Sequence, residues 1–229
     1  MAGIAVLVSL GVWQVHRLAW KRDLIERVEQ RVHAEPVAAP GREQWPNVNR
    51  ANSEYLRVAV NGRYQNDKET LVQAVTERGG GFWVLTPFVT DAGYTVLINR
   101  GFVPLQRDPG TRAQGQIEGE TRVTGLLRLT EQGGGYLRAN DPTNDRWFSR
   151  DVTAIAAKRG LSDIAPYFID AEVLEPAVPD APIGGLTVIA FSNNHLQYAL
   201  TWFGLALMLI AGLGLVLRHE WRLRRPQTT

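Results

Sequence analysis

Residues 198–217, YALTWFGLALMLIAGLGLVL, form an apolar run without a single charge. A helix rises 1.5 Å per residue, so this run covers about 30 Å, the hydrocarbon thickness of a bilayer. Leu, Ile, Phe and Val make up half of it, and insertion gains roughly 3 to 6 kcal/mol before its few polar groups are subtracted. The pattern predicts a transmembrane helix over 195–217. Its trailing RHEWRLRR predicts a basic cytoplasmic tail over 218–229. A second apolar run, MAGIAVLVSLGVWQV, opens the chain. No basic residue precedes it and no small-x-small cleavage site follows, so it reads as an uncleaved anchor over 1–20, with further residues expected upstream of Met1.

Between these runs the period changes. KRDLIERVEQRV places Leu24, Ile25, Val28 and Val32 at helical spacing, which predicts that the first helix continues as an amphipathic one. Pro36, Pro40 and Pro46 then mark a linker, so 21–46 is read as amphipathic helix plus Pro-rich linker. From Tyr55 the alternation is that of strands: YLRVAVNGRY closing on Asn-Gly, ETLVQAVT, GFWVLTPFVT, a turn at Asp91 to Gly93, and YTVLINRGFV. IEGETRVTGLLRLT and PYFIDAEVL continue the series, and DVTAIAAKRG, with an acid before it and a glycine after it, reads as a short capped helix. The predicted fold class is a membrane protein whose two transmembrane helices flank one extracytoplasmic α+β domain over 47–194, mainly an antiparallel or partly closed β-sheet.

Two spans put both termini on one side and the domain on the other. Basic residues after the first span (Arg17, Lys21, Arg22, Arg27, Arg31) oppose the four C-terminal arginines, but acids dilute the first group and long loops translocate largely regardless of charge. The reading is therefore periplasmic for the domain and cytoplasmic for both termini, in a bacterial inner membrane. The Arg-rich, Lys-poor usage adds to the bacterial assignment. No cysteine occurs, which excludes disulfides, thiolate metal sites, a cysteine nucleophile and covalent haem attachment. A net charge of +2 spread over both signs offers no basic stripe for nucleic acid.

Catalytic motifs are missing: no H-E-x-x-H, no G-x-S-x-G, and glycine groups RGGGFW and EQGGGY without phosphate-loop spacing. The chain is read as a non-enzyme. The alternative of a membrane-tethered enzyme would use acids in the INRGFVP and QRDPG loops, and a pocket of paired carboxylates would favour it. Of the four histidines, His195 stands out by its place three residues ahead of the apolar run, beside Asn193 and Asn194, which can cap the helix. Tyr198, Ala199 and Trp202 share its face. Ionisable groups at membrane depth usually face protein or ligand. His16 lies at the corresponding depth of the first helix, where the two imidazoles could face each other. Gly204, Ala211 and Gly214 on the second helix, with Gly3 and Gly11 on the first, are small residues available for pairing the two.

GVWQVHRLAWKRDLI, VNGRY, GFWVLTPF, VLINRGFVP, the Arg-Asp-Pro of QRDPG, VTGLLR and NNHLQYALTWFGL together, in order and spacing, resemble the surfeit locus protein 1 family of cytochrome c oxidase assembly factors. The resemblance implies a chaperone without enzymatic activity that receives haem a from haem a synthase and helps deliver it to oxidase subunit I. It places the family histidine, the candidate axial ligand of the haem iron, at His195. A bilayer-border site suits haem a, whose isoprenoid tail favours lipid while its propionates favour water or an arginine, for which Arg17 and Arg100 are candidates. Gln197 or Asn194 could fix the second ring nitrogen. The alternative is a haem-free membrane scaffold that stabilises oxidase assembly intermediates.

Overall fold

The computed structural model describes residues 2–105, 115–135, 137–173, 181–187 and 193–223. They form two compact units, one of residues 1–27 with 189–229 and one of residues 28–188.

The second unit is built on a closed sheet. Its strands are β1 (Val37–Ala38), β2 (Arg57–Tyr64), β3 (Thr70–Thr76), β4 (Gly79–Thr90), β5 (Thr95–Pro104) and β6 (Thr121–Leu129), then the short hairpin β7 (Gly134–Gly135) and β8 (Arg138–Ala139), and β9 (Ile164–Ala171). The main sheet runs β1-β2-β6-β9-β5-β4-β3, and β2 also pairs with β4, which closes a ring of β2, β6, β9, β5 and β4. Neighbours in this ring are antiparallel except β5 and β9, which are parallel. The sequence led us to expect antiparallel pairing, but an odd ring cannot alternate direction all the way round. One pair must run parallel, and the crossover that parallel strands require passes here through β6 and a helix.

Alternation decides which residues fill the ring. Val58 and Val60, Phe88, Val96 and Ile98, Val123 and Leu127, and Tyr167 and Ile169 make one buried cluster. The residues that alternate with them on the same strands face outward, where Leu97 and Phe168 join Val72, Leu85 and Trp147 under the helix α2 (Val152–Arg159) through Val152 and Ile155. Strands β5 and β9 are thus covered on both faces, which is why their sequences read as nearly continuous apolar runs. Helix α2 has the expected ends: the Asp151 side chain accepts from Ala154 N, and Gly160 closes it at φ 62°.

Asn61-Gly62 does not end a hairpin as the sequence suggested. Strand β2 runs on through it, pairing with β6 up to Gly62 and with β4 from Gly62 to Tyr64. The glycine (φ 155°) is the corner where the strand changes partner, and a Cβ there would lie 2.0 Å from the Val89 carbonyl oxygen. The Pro-rich segment packs against the barrel: Val37 and Ala38 pair with β2, and the Pro40 carbonyl accepts from Tyr167 Oη at 2.7 Å and Trp45 Nε1 at 3.1 Å.

The first unit contains most of α1 (Ala2–His33) and all of α3 (His195–Leu223), both long and apolar enough to cross a membrane. The stretch from Lys21 continues α1 without a break as far as His33. The two helices meet where small residues let them. A Cβ on Gly11 would lie 2.6 Å from the Phe203 ring, and one on Gly3 would lie 3.5 Å from Leu209. Ala199 and Ala206 are buried, on the same face of α3 as Phe203. The stripe expected at Gly204, Ala211 and Gly214 is not the contact. Ala211 is exposed, and a Cβ on Gly204 or Gly214 would meet nothing within 4 Å.

Candidate functional site

His195 is the first helical residue of α3, and Asn194 is its N-cap, with its carbonyl accepting from Tyr198 N at 3.1 Å. The imidazole is half-buried. Its Nδ1 lies 2.8 Å from Oε1 of Gln14 on α1, and Gln14 is only 8% exposed. Among the described residues Nε2 has no hydrogen-bond partner. An amide oxygen can only accept, so Nδ1 carries the proton and Nε2 keeps its lone pair, the form in which a neutral imidazole binds a metal. Two residues away, Asn193 Oδ1 is buried with no donor among the described residues. Both observations fit a ligand that brings a Lewis-acidic metal to Nε2 and a donor group beside it. Among the described residues no three His, Asp or Glu side chains converge on one position.

Gln14 was not singled out from the sequence, and neither Gln197 nor Asn194 takes the role given to it. The readable signal was a lone amide inside an apolar helix, three residues after Gly11 and so on its face. His16, two residues further on, is rotated about 200° from Gln14 and is exposed. The amide, not the second imidazole, faces His195. The Arg17 guanidinium stacks on Trp20 at 4.0 Å. Arg100, on β5, is 4% exposed, donates from Nη2 to the Gly115 carbonyl at 2.6 Å and lies over the Tyr64 ring at 5.1 Å. Burial lowers its pKa, against the opposing influence of Tyr64 and Glu69, and burial pushes the Tyr64 phenol up to about 12. Arg100 is thus enclosed in the β domain rather than exposed as a carboxylate receptor.

A cavity of about 370 Å³ on the outer wall of the barrel is lined by Trp83, Asn99, Arg128, Arg150, Asp170 and Thr187 among others. Asp170 accepts from Asn99 Nδ2 at 2.7 Å, Arg128 Nη1 at 3.0 Å, Arg150 Nη1 at 3.2 Å and Thr187 Oγ1 at 3.0 Å. Arg128 also bonds Glu54 at 3.1 Å, and Arg150 bonds Glu131 at 2.5 Å. Each carboxylate of this cluster is held by arginine, so the cluster is a clamp across β5, β6 and β9. INRGFVP lies in strand β5 instead of a loop, and QRDPG lies outside the described residues.

Burial alone would raise the Glu131 pKa, but hydrogen bonds and charge from Arg150 outweigh it and hold the carboxyl below the usual range. A carboxylate depressed in the folded state contributes stability above its unfolded pKa, about 4.3, and loses it as pH falls through the folded value. The stability difference between wild type and Glu131→Gln is therefore expected to be full at neutral pH and to close below about pH 4. Urea unfolding across that range measures it.

Comparison with known proteins follows the whole layout. Residues 1–207 match the model of the SURF1 family. The chain is 42% identical over 216 residues to surfeit locus protein 1 of Homo sapiens, covering 86% of this chain and 69% of that protein. It is 37% identical to surfeit locus protein 1 of Takifugu rubripes, over 88% of each chain. A SURF1-like protein of Monosiga brevicollis is 35% identical, over 90% of this chain and 81% of its own length.

Proposed function

The chain belongs to the SURF1 family, and from that premise we propose that it is an assembly factor for cytochrome c oxidase that carries haem a as cargo. In this reading it takes haem a from haem a synthase and presents it to subunit I. It catalyses no reaction of its own. Helices α1 and α3 span the membrane, with the β domain on the outer face and the arginines after Leu217 holding the tail inside.

The supporting observation is His195, with Nδ1 occupied by Gln14 and Nε2 without a partner among the described residues, at the start of an apolar helix. Haem a would bring an iron centre with an open axial position, a flat apolar ring, an isoprenoid tail and two propionates. Nε2 serves the first, and the apolar surfaces of α1 and α3 serve the ring and the tail. One imidazole from the protein also suits a carrier, which must release what it holds.

The test uses full-length wild type and His195→Ala purified in detergent from cells making haem a. Pyridine haemochrome spectra are expected to show haem in the wild type and a loss of about tenfold or more in the variant, at least the effect of removing a ligand's supporting bond. Equal haem in the two proteins would remove His195 as ligand. Colourless wild type that co-purifies with subunit I would favour the haem-free scaffold instead.

A further inference from the structure

We infer that Gln14 is the positioning residue of the His195 imidazole, and that the ring is competent as a ligand only while α1 and α3 are paired. What this says of cargo rests on the haem reading above. What it says of the ring does not.

A neutral imidazole has one donor nitrogen and one acceptor nitrogen, and which is which depends on what it meets. Oε1 of Gln14, at 2.8 Å, can only accept, so it selects the Nδ1–H form and leaves Nε2 to bind. The amide is 8% exposed in the apolar first half of α1, so its oxygen has little water to turn to. Such a group loses much if its bond is not made. The bond depends on how closely the helices approach. Gly11 lies one turn from Gln14 on the same face, and any Cβ there would enter the Phe203 ring. Phe203 is two turns along from His195, again on the same face. Glycine at 11 therefore sets the separation at which amide and imidazole meet.

Coupling of this kind works in both directions. A ligand that prefers the Nδ1–H ring stabilises the paired helices, and parting the helices frees the ring to change tautomer and weakens its hold. Handover of cargo then needs a partner that separates α1 from α3, which weakens the bond from Nε2 to the iron, and that supplies a ligand of its own as this bond breaks.

The tautomer can be read without any haem. In full-length protein carrying 15N-labelled histidine, with the ring neutral, the His195 nitrogens are expected to report a single Nδ1–H form in wild type and in Gln14→Glu. Gln14→Leu is expected to show a mixture dominated by Nε2–H. Gly11→Leu, which leaves amide and imidazole in place, is expected to do the same, and Phe203→Ala added to it to restore the wild-type pattern. With haem bound, Gln14→Leu should bind about tenfold more weakly and lower the iron–imidazole stretching frequency, which Gln14→Glu should raise. Wild-type nitrogen shifts in Gln14→Leu would overturn the role of Gln14, even if His195→Ala remained free of haem. Wild-type shifts in Gly11→Leu would overturn the link to helix pairing. Should His195→Ala keep its haem while Gln14→Leu alters the tautomer, His195 is not the haem ligand and the positioning role stands.

Discussion

Asp170→Ala is expected to destabilise the β domain by about 3–5 kcal/mol, the usual consequence of removing one partner from a buried ion cluster. Asp170 is 4% exposed and receives four hydrogen bonds, from β5, β6, the segment before α2 and the loop at Thr187. Alanine there leaves the part-buried Arg128 and Arg150 guanidiniums with one fewer anion. Thr187→Ala removes one neutral donor and is expected to cost only about 1 kcal/mol. Asp170→Asn, which keeps the shape but not the charge, should fall between the two. Urea unfolding of the full chain in detergent, followed by tryptophan fluorescence, gives all three values. An Asp170→Ala protein within about 1 kcal/mol of wild type would mean that the cluster is solvated and that other contacts hold the wall together.

The second large effect is expected at the seam of the barrel. Gly62→Val should cost about 3 kcal/mol or more, because it combines a backbone conformation that side chains rarely adopt with a backbone collision. Its Cβ would stand 2.0 Å from the Val89 carbonyl oxygen and 2.9 Å from the Phe88 ring. Neither can yield, since Phe88 and Val89 of β4 are paired on its other edge with Val96 and Thr95 of β5. Gly79→Ala is the control: φ is 96° there, but a Cβ meets nothing within 4 Å, so only the conformational cost of about 1 kcal/mol applies. Hydrogen exchange should localise the damage. Amides of Arg63 and Tyr64 are expected to lose protection in Gly62→Val before those of the β3–β4 hairpin do. Uniform loss over the whole domain would show that closure and core form one cooperative unit.

The same glycine shows where the sequence stops being readable. Alternation located the six long strands, and an acid before and glycine after DVTAIAAKRG located α2, because both signals are local. Closure of the ring is not local. It depends on three residue pairs between β2 and β4, and Asn-Gly, which marks a turn between hairpin strands, serves equally well at a corner inside one strand. The parallel pair β5 and β9 follows from closure and was hidden for the same reason. At the site, His195 could be picked out by its position ahead of an apolar run. Gln14 could not, since its meaning comes from a partner 181 positions away. The helix contact was likewise assigned to the glycines of α3, whereas alanines at 199 and 206 occupy it, on the turns that also carry His195 and Phe203.

That separation of 181 positions bears on biosynthesis. While a ribosome is still making the β domain, residue 14 has long since emerged and residue 195 does not yet exist, so a partial chain has only half of the arrangement. In the haem a role proposed above, only a polypeptide whose last helix has been made and docked competes for the cargo, and fragments that end early neither sequester it nor block its donor.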